Sequence, residues 1–237
     1  MVVFGSGASI NDITDVEWQW ISRQDTMGVN FWPLHPFVPK MLMFELDARE
    51  SRRAEMMEVF ARRAAEYRDT FMLTHTLDPH SVATLRRLRR PFPDLAVTHF
   101  HKISNRAATP ELLERRMQLF ARLYRAGLLR RPSVVGGSMF RALSLGHLMG
   151  YDRLVLAGFD MNGSPNFWEG REAVSTGQSG STHRTMLLNE TFRINALDAV
   201  QAASRCLFEY DAPRIWVMNP SSALHTSFPH LDLAGAD

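Results

Sequence analysis

The amino-acid sequence predicts an α/β protein in which helices cover both faces of a largely parallel sheet. Three observations carry that expectation. Short apolar runs alternate with stretches of helical period along the 237 residues, the order that builds parallel sheets through helical crossovers. The runs Val2-Val3-Phe4, Met41-Leu42-Met43-Phe44 and Leu154-Val155-Leu156-Ala157 are apolar at consecutive positions, as strands buried on both faces require. Glycine turns follow the first and last of these runs, at Gly5 and Gly158. Folds of this class gather ligands there, at the carboxyl ends of strands. The architecture expected is a Rossmann-like α/β/α sandwich with a mostly parallel sheet.

Each element has a local reason. Val2-Val3-Phe4 is β-branched and aromatic and stops at Gly5-Ser6-Gly7-Ala8-Ser9, a strand entering a turn. Thr14, Asp15 and Glu17 mark the start of a helix carrying Trp18 and Ile21. Thr26-Met27-Gly28-Val29-Asn30 predicts a second strand, and Pro33, Pro36 and Pro39 punctuate the loop after it. Met41 to Glu45 predicts a third, followed by a helix over 51–67 with its charges on one face. A strand at 70–74, a helix at 79–90, a short strand at 96–100 and a helix from Thr109-Pro110-Glu111 towards Tyr124 follow. Gly136-Gly137-Ser138 opens an apolar helix through Leu143, Leu145, Leu148 and Met149 that stops at Gly150 before the strand 153–157. Residues 161–191 are polar and glycine-rich without a period, long enough to predict a lid. A helix at 193–208, a strand at 214–218 and the loop Asn219-Pro220-Ser221-Ser222 complete the order.

Composition narrows the function classes. With 45% hydrophobic residues the chain can bury one substantial core, so a single domain over 1–237 is expected, with its lid at about 161–191. No apolar run approaches the roughly 18 residues that cross a bilayer, and Met1 leads directly into the first strand, so a cytoplasmic protein is expected. Cys206 is the only cysteine, which leaves no intramolecular disulfide and no cysteine-rich zinc site. The net charge of +2 is uneven. Arginine pairs such as Arg52-Arg53, Arg89-Arg90, Arg115-Arg116 and Arg130-Arg131 crowd the middle. They read as a solvated helix face, or as attraction to an anionic substrate or inner-membrane lipid. No nucleic-acid module accompanies them, and nucleic acid is not expected as a partner.

Several residues could carry chemistry. The small residues Gly5, Ser6, Gly7 and Ser9 allow close backbone approach by a phosphate or sugar, or simply a tight turn. Asn30 can donate and accept hydrogen bonds at the end of the second strand, or serve as a turn residue. Gly137-Ser138 places a hydroxyl beside helix amides, suited to a carboxylate or to an ordinary cap. His183, next to Arg184, could take a proton from an acceptor hydroxyl near neutral pH, or be a solvated loop histidine. Asp160 ends a strand where ligands are touched. His99 and His101 stand in the short run His99-Phe100-His101 and make a poor chelate by themselves, so no metal is expected there.

Taken together these segments resemble the family 42 bacterial sialyltransferases of the Campylobacter type. The family's Gly-Asn-Gly-Pro-Ser-Leu turn is similar to Gly5-Ser6-Gly7-Ala8-Ser9-Ile10, and its second-strand asparagine to Asn30. Its serine segment, apolar helix and Gly-Tyr-Lys-Glu-Ile-Tyr-Leu-x-Gly-Ile-Asp-Phe strand are similar to Ser138-Met139-Phe140 and then the run from Gly150 through Gly158 and Asp160 to Met161. Asn162-Gly163-Ser164, Arg193 to Leu197 and Asn219-Pro220-Ser221 also have counterparts, whereas residues 46–132 match only in kind. The resemblance implies a variant of the GT-A nucleotide-sugar fold that works without metal or other cofactor. It implies that the first turn and Asn30 hold cytidine monophosphate (CMP), that Ser138 binds the donor sugar's carboxylate, and that His183 is the general base. Arg184 or Arg171 would offset phosphate charge. Glu45 stands for the family's asparagine after the third strand, and Asn162, Phe167 and Trp168 stand where the family has two tyrosines. Gly158, Asp160, Asn162 and Trp168 complete the donor site so implied.

The expected activity is inverting, metal-independent transfer of a sialic acid or Kdo-like sugar from a CMP-activated donor to a surface-glycan or lipid-linked acceptor. A nucleotide-dependent diphosphokinase-like enzyme and an inactive CMP- or glycan-binding protein are the alternatives. Related enzymes associate into oligomers and sit at the inner membrane, so a homo-oligomer and a peripheral membrane contact are compatible expectations.

Overall fold

The computed structural model describes residues 1–45, 50–75, 97–99, 103–104, 107, 109–128, 133–134, 137–162, 164–169, 200–202, 205–206 and 214–233. Its strands are β1 Val2–Phe4, β2 Thr26–Val29, β3 Met41–Glu45, β4 Phe71–His75, β5 Val97–His99, β6 Ile103–Ser104, β7 Ser133–Val134, β8 Arg153–Ala157 and β9 Arg214–Val217. Seven of them form one sheet in the order β5-β4-β3-β2-β1-β8-β9, and every pair in it is parallel. The α/β expectation therefore holds, with a Rossmann-like parallel sheet. β6 and β7 make a separate parallel pair that the sequence pattern did not predict, since two residues are too few to show a period.

Among the described residues the helices are α1 Asp15–Ser22, α2 Glu50–Arg63, α3 Pro110–Arg125 and α4 Gly137–Leu148, and residues 200–202 and 205–206 are also helical. Residues alternating along the strands divide the core in two. Val2, Phe4, Leu42, Phe44 and Val155 pack with Ile21 of α1 and Phe60 of α2. Val3, Met27, Met43, Leu156 and Val217 pack with Ala142, Leu143 and Leu145 of α4. α3 lies outside α4, joining Leu113 and Met117 to Phe140, Ala202 and Cys206. Residues 139–146 of α4 are consequently all buried, and Cys206 serves as a small core residue.

Local chemistry sets the helix ends where the sequence placed them. Thr14 and Glu17 form a reciprocal capping box at α1, and Thr109 Oγ1 accepts from Leu112 N at α3. Gly150, at φ 82°, ends α4: Tyr151 N donates to Gly146 O at 3.1 Å and Gly150 N to His147 O at 3.0 Å, the paired bonds of a Schellman motif. Residues 64–67, expected within the second helix, are turns. There Arg63 fastens the proline loop after β2. Its guanidinium donates to Pro33 O and Pro36 O at 2.8 Å each and also to His35 O.

His147, in the last turn of α4, meets the Tyr124 ring of α3 edge-on with centroids 5.9 Å apart. Burial holds its imidazole below the ordinary histidine range. As pH falls, the unfolded chain binds its proton before the folded one does. Stability is thus complete above the unfolded pKa of about 6.5 and is lost as the pH drops below it. Urea midpoints measured between about pH 7.5 and pH 5 should fall less steeply in His147→Gln than in the wild type. Parallel curves would remove His147 from the acid response.

Candidate functional site

The sheet order reverses at β1, whose neighbours are β2 on one side and β8 on the other. This switch point opens at the carboxyl ends of β1 and β8, where the Gly5 and Gly158 turns lie side by side. Their backbones are bonded directly. Gly5 N donates to Ala157 O and Gly7 N to Gly158 O, each at 2.7 Å. The glycines answer this packing: a Cβ on Gly5 would lie 2.3 Å from Gly158 O, and one on Gly7 would lie 2.4 Å from Asp160 Oδ2. Gly158 itself has φ 70° and stands against Ile10. Close contact between two turns therefore accounts for the small residues read from the sequence as room for a ligand.

Ser9 and Asp160, both read as ligand contacts, face each other at 6% exposure each. Ser9 N donates to Asp160 Oδ2 at 3.1 Å, and Ser9 Oγ donates to Asp160 Oδ1. The carboxylate takes up an amide and a hydroxyl that burial would otherwise leave unpaired. Beyond it, Asp160 O accepts from Ala223 N at 2.8 Å and Ser222 Oγ donates to Phe159 O at 2.7 Å. The C-terminal loop is thereby drawn onto the same edge. Ser222 was not singled out in the sequence: locally it is an ordinary cap, accepting from Leu224 N at 3.2 Å, whereas the carbonyls its hydroxyl meets are more than sixty residues away.

Residues 164–169, the start of the expected lid, lie along the first turn. Phe167 N donates to Ser6 O at 2.9 Å, Ala8 N to Pro165 O at 2.9 Å and Asn11 Nδ2 to Phe167 O at 3.1 Å. Phe167 and Trp168, exposed by 1% and 3%, belong to the core. Phe167 meets Trp32 and His35 edge-on, and Trp168 packs on Phe31. The structure places Trp168 among core side chains, where its apolar area explains its position. Asn162 is exposed, accepts from Ser164 N at 3.0 Å and reaches Ser221 O at 3.4 Å.

Asn30 and Ser138 make the second part of the site. Asn30 follows β2 in the left-handed region, φ 52°, which asparagine tolerates better than most residues. Its amide N bonds Met43 O at 2.8 Å. That fixed backbone aims the side chain at α4, and Asn30 Nδ2 donates to Ser138 Oγ at 2.8 Å. Both residues are half-buried. Ser138 is the second residue of α4, whose first turn holds no acidic side chain. Helix N-termini carry amides without intrahelical acceptors and a partial positive charge. Because Ser138 Oγ accepts from Asn30, its own proton is oriented away and can be donated to a further group.

The remaining expectations fall elsewhere. Glu45 ends β3 opposite His75 in register, at the same carboxyl edge. His183, Arg184 and Arg171 lie outside the described residues, as does the helix expected at 79–90. Among the described residues no group of three metal-ligating side chains is gathered, and no helix is long and apolar enough to cross a membrane. No family model, curated protein or solved structure matches the chain.

Proposed function

We propose that the chain is a glycosyltransferase that binds a CMP-activated acidic sugar, of the sialic acid or Kdo type, at the carboxyl ends of β1 and β2 and the N-terminus of α4. The observation that carries this reading is the hydrogen bond from Asn30 Nδ2 to Ser138 Oγ, which joins two residues flagged separately for the nucleotide and for the sugar carboxylate. Beside them the α4 N-terminus offers amides and partial positive charge to an anionic sugar. In this reading Ser138 donates to the donor carboxylate, and Asn30 positions Ser138 while touching the nucleotide. His183 removes the acceptor hydroxyl proton as that oxygen attacks the anomeric carbon and CMP departs from the opposite face. Ser9 and Asp160 act as a brace for the first turn. Phe167 and Trp168 are enclosed in the core, so stabilisation of the leaving phosphate is assigned to helix amides, hydroxyls and Arg184 or Arg171.

Calorimetry with CMP, UMP, GDP and AMP in EDTA tests the pocket. CMP should bind selectively, and Ser138→Ala should weaken a CMP-activated acidic sugar by about tenfold, the equivalent of ~1.4 kcal/mol, while leaving CMP itself little changed. Asn30→Gly is the informative partner variant, since glycine keeps φ 52° without strain and removes only the amide. A loss of ten- to a hundredfold is expected, in line with one or two hydrogen bonds. Equal affinity for all four nucleotides, or no effect of either change, would overturn the assignment. CMP binding without transfer from CMP-sialic acid or CMP-Kdo would retain the pocket and favour a binding protein, the reading to which the two enclosed aromatic residues lend weight.

A further inference from the structure

α3 carries two apolar stripes. The inner one, Leu113, Met117 and Ala121, is buried against the layer below. The outer one is formed by Leu112 and Leu119, exposed by 38% and 54%, with half-buried Leu123 on the same line. At 3.6 residues per turn these positions fall within a narrow arc turned well away from the buried stripe. Leu128, 75% exposed, extends that line. The Schellman turn at Gly127 places it, with Leu128 N donating to Leu123 O at 2.9 Å and Gly127 N to Tyr124 O at 2.9 Å. In this motif the residue after the glycine sits against the one five positions earlier, which brings Leu128 beside Leu123. From Leu112 to Leu128 the line runs about 24 Å.

Arg115, Arg116 and Arg122 flank the leucines, all exposed. Glu111 is occupied at the helix start, where its own backbone amide and Thr109 hold its carboxyl below the ordinary range. The outer face of α3 is thus a convex apolar line bordered by cations, the pattern by which helices lie on negatively charged bilayers. A symmetric contact with a second copy would set these arginines against their equivalents, which like-charge repulsion opposes.

We propose that this outer face of α3 docks the protein on an anionic lipid surface, with the leucines entering the headgroup boundary and the three arginines pairing with lipid charge. The inference stands apart from the donor pocket, which lies at the sheet edge. The test is flotation of the full chain with vesicles of phosphatidylcholine alone or mixed equally with phosphatidylglycerol. Binding to the mixed vesicles only is expected, weakening as salt rises towards about 0.5 M. It should drop at least about tenfold in Leu119→Glu and in the double variant Arg115→Glu with Arg122→Glu. The double variant changes only exposed charged side chains and keeps the test alive if Leu119→Glu fails to fold. Equal binding to neutral vesicles, no binding to either kind, or wild-type binding by a folded variant would overturn the proposal. So would a lipid-free dimer that Leu119→Glu dissociates, which would assign the face to a second copy.

Discussion

Alanine at Gly5 is expected to lower the melting temperature by about 6–12 °C, or to leave the chain unfolded. The added Cβ would lie 2.3 Å from Gly158 O and 2.8 Å from Gly158 C. Those are backbone atoms of the neighbouring turn, with no rotamer to yield. Relief requires β1 and β8 to separate at the point where Gly5 N and Ala157 O are 2.7 Å apart. Overpacking of this kind costs about 3 kcal/mol, and each kcal/mol moves the midpoint by roughly 2–4 °C in a domain of this size. Gly127→Ala is the internal comparison. A Cβ there meets nothing within 4 Å, but φ is 65°, so only backbone strain of about 1 kcal/mol is incurred. If scanning calorimetry gave both variants the same midpoint, steric closure of the switch point would not be what holds the first turn.

Asp160→Ala should destabilise by a similar amount, about 3 kcal/mol, for the opposite reason: it removes atoms where Gly5→Ala adds one. Two hydrogen bonds to a charged acceptor disappear, and the Ser9 amide and hydroxyl remain buried without a partner. A bond to a charged group contributes roughly 1.5–3 kcal/mol, and an orphaned buried donor costs roughly 1–3. Ser9→Ala deletes the hydroxyl together with its need for a partner while keeping the amide bond, and should cost only about 1 kcal/mol. Asp160→Asn should fall between the two, because its amide oxygen can accept from one Ser9 donor while its NH2 group faces the other. Denaturant midpoints in the order wild type, Ser9→Ala, Asp160→Asn, Asp160→Ala would establish Asp160 as a brace. Near-wild-type stability of Asp160→Ala combined with lost ligand affinity would return it to direct ligand contact.

These variants mark how far the candidate site was legible in the sequence. Gly5, Gly7, Ser9, Gly158 and Asp160 were all singled out, and all meet at one place. Their common role there is to hold two turns together. Composition at a strand end shows that small or polar residues are needed; it does not show whether a ligand or another turn needs them. Asn30 shows the converse. Its left-handed backbone is the property of a turn residue, and that same conformation directs its side-chain amide to Ser138. Trp168 entered the expected donor site only through the resemblance, and the structure adds that it completes a core that begins at Phe4 and Trp32.

The sequence by itself determined the strands of the seven-stranded sheet, the caps at Thr14 and Thr109 and the helix stop at Gly150, because strand pleating, capping and left-handed turns depend on residues a few positions apart. Tertiary structure decided the strand order that reverses beside β1, the bond between Ser9 and Asp160 across 151 residues and the bond between Asn30 and Ser138 across 108. A polar side chain can satisfy itself with any complementary group within about 3 Å. Which group comes that close follows from how the crossovers bring strand ends together, a property of the whole chain that no local window contains.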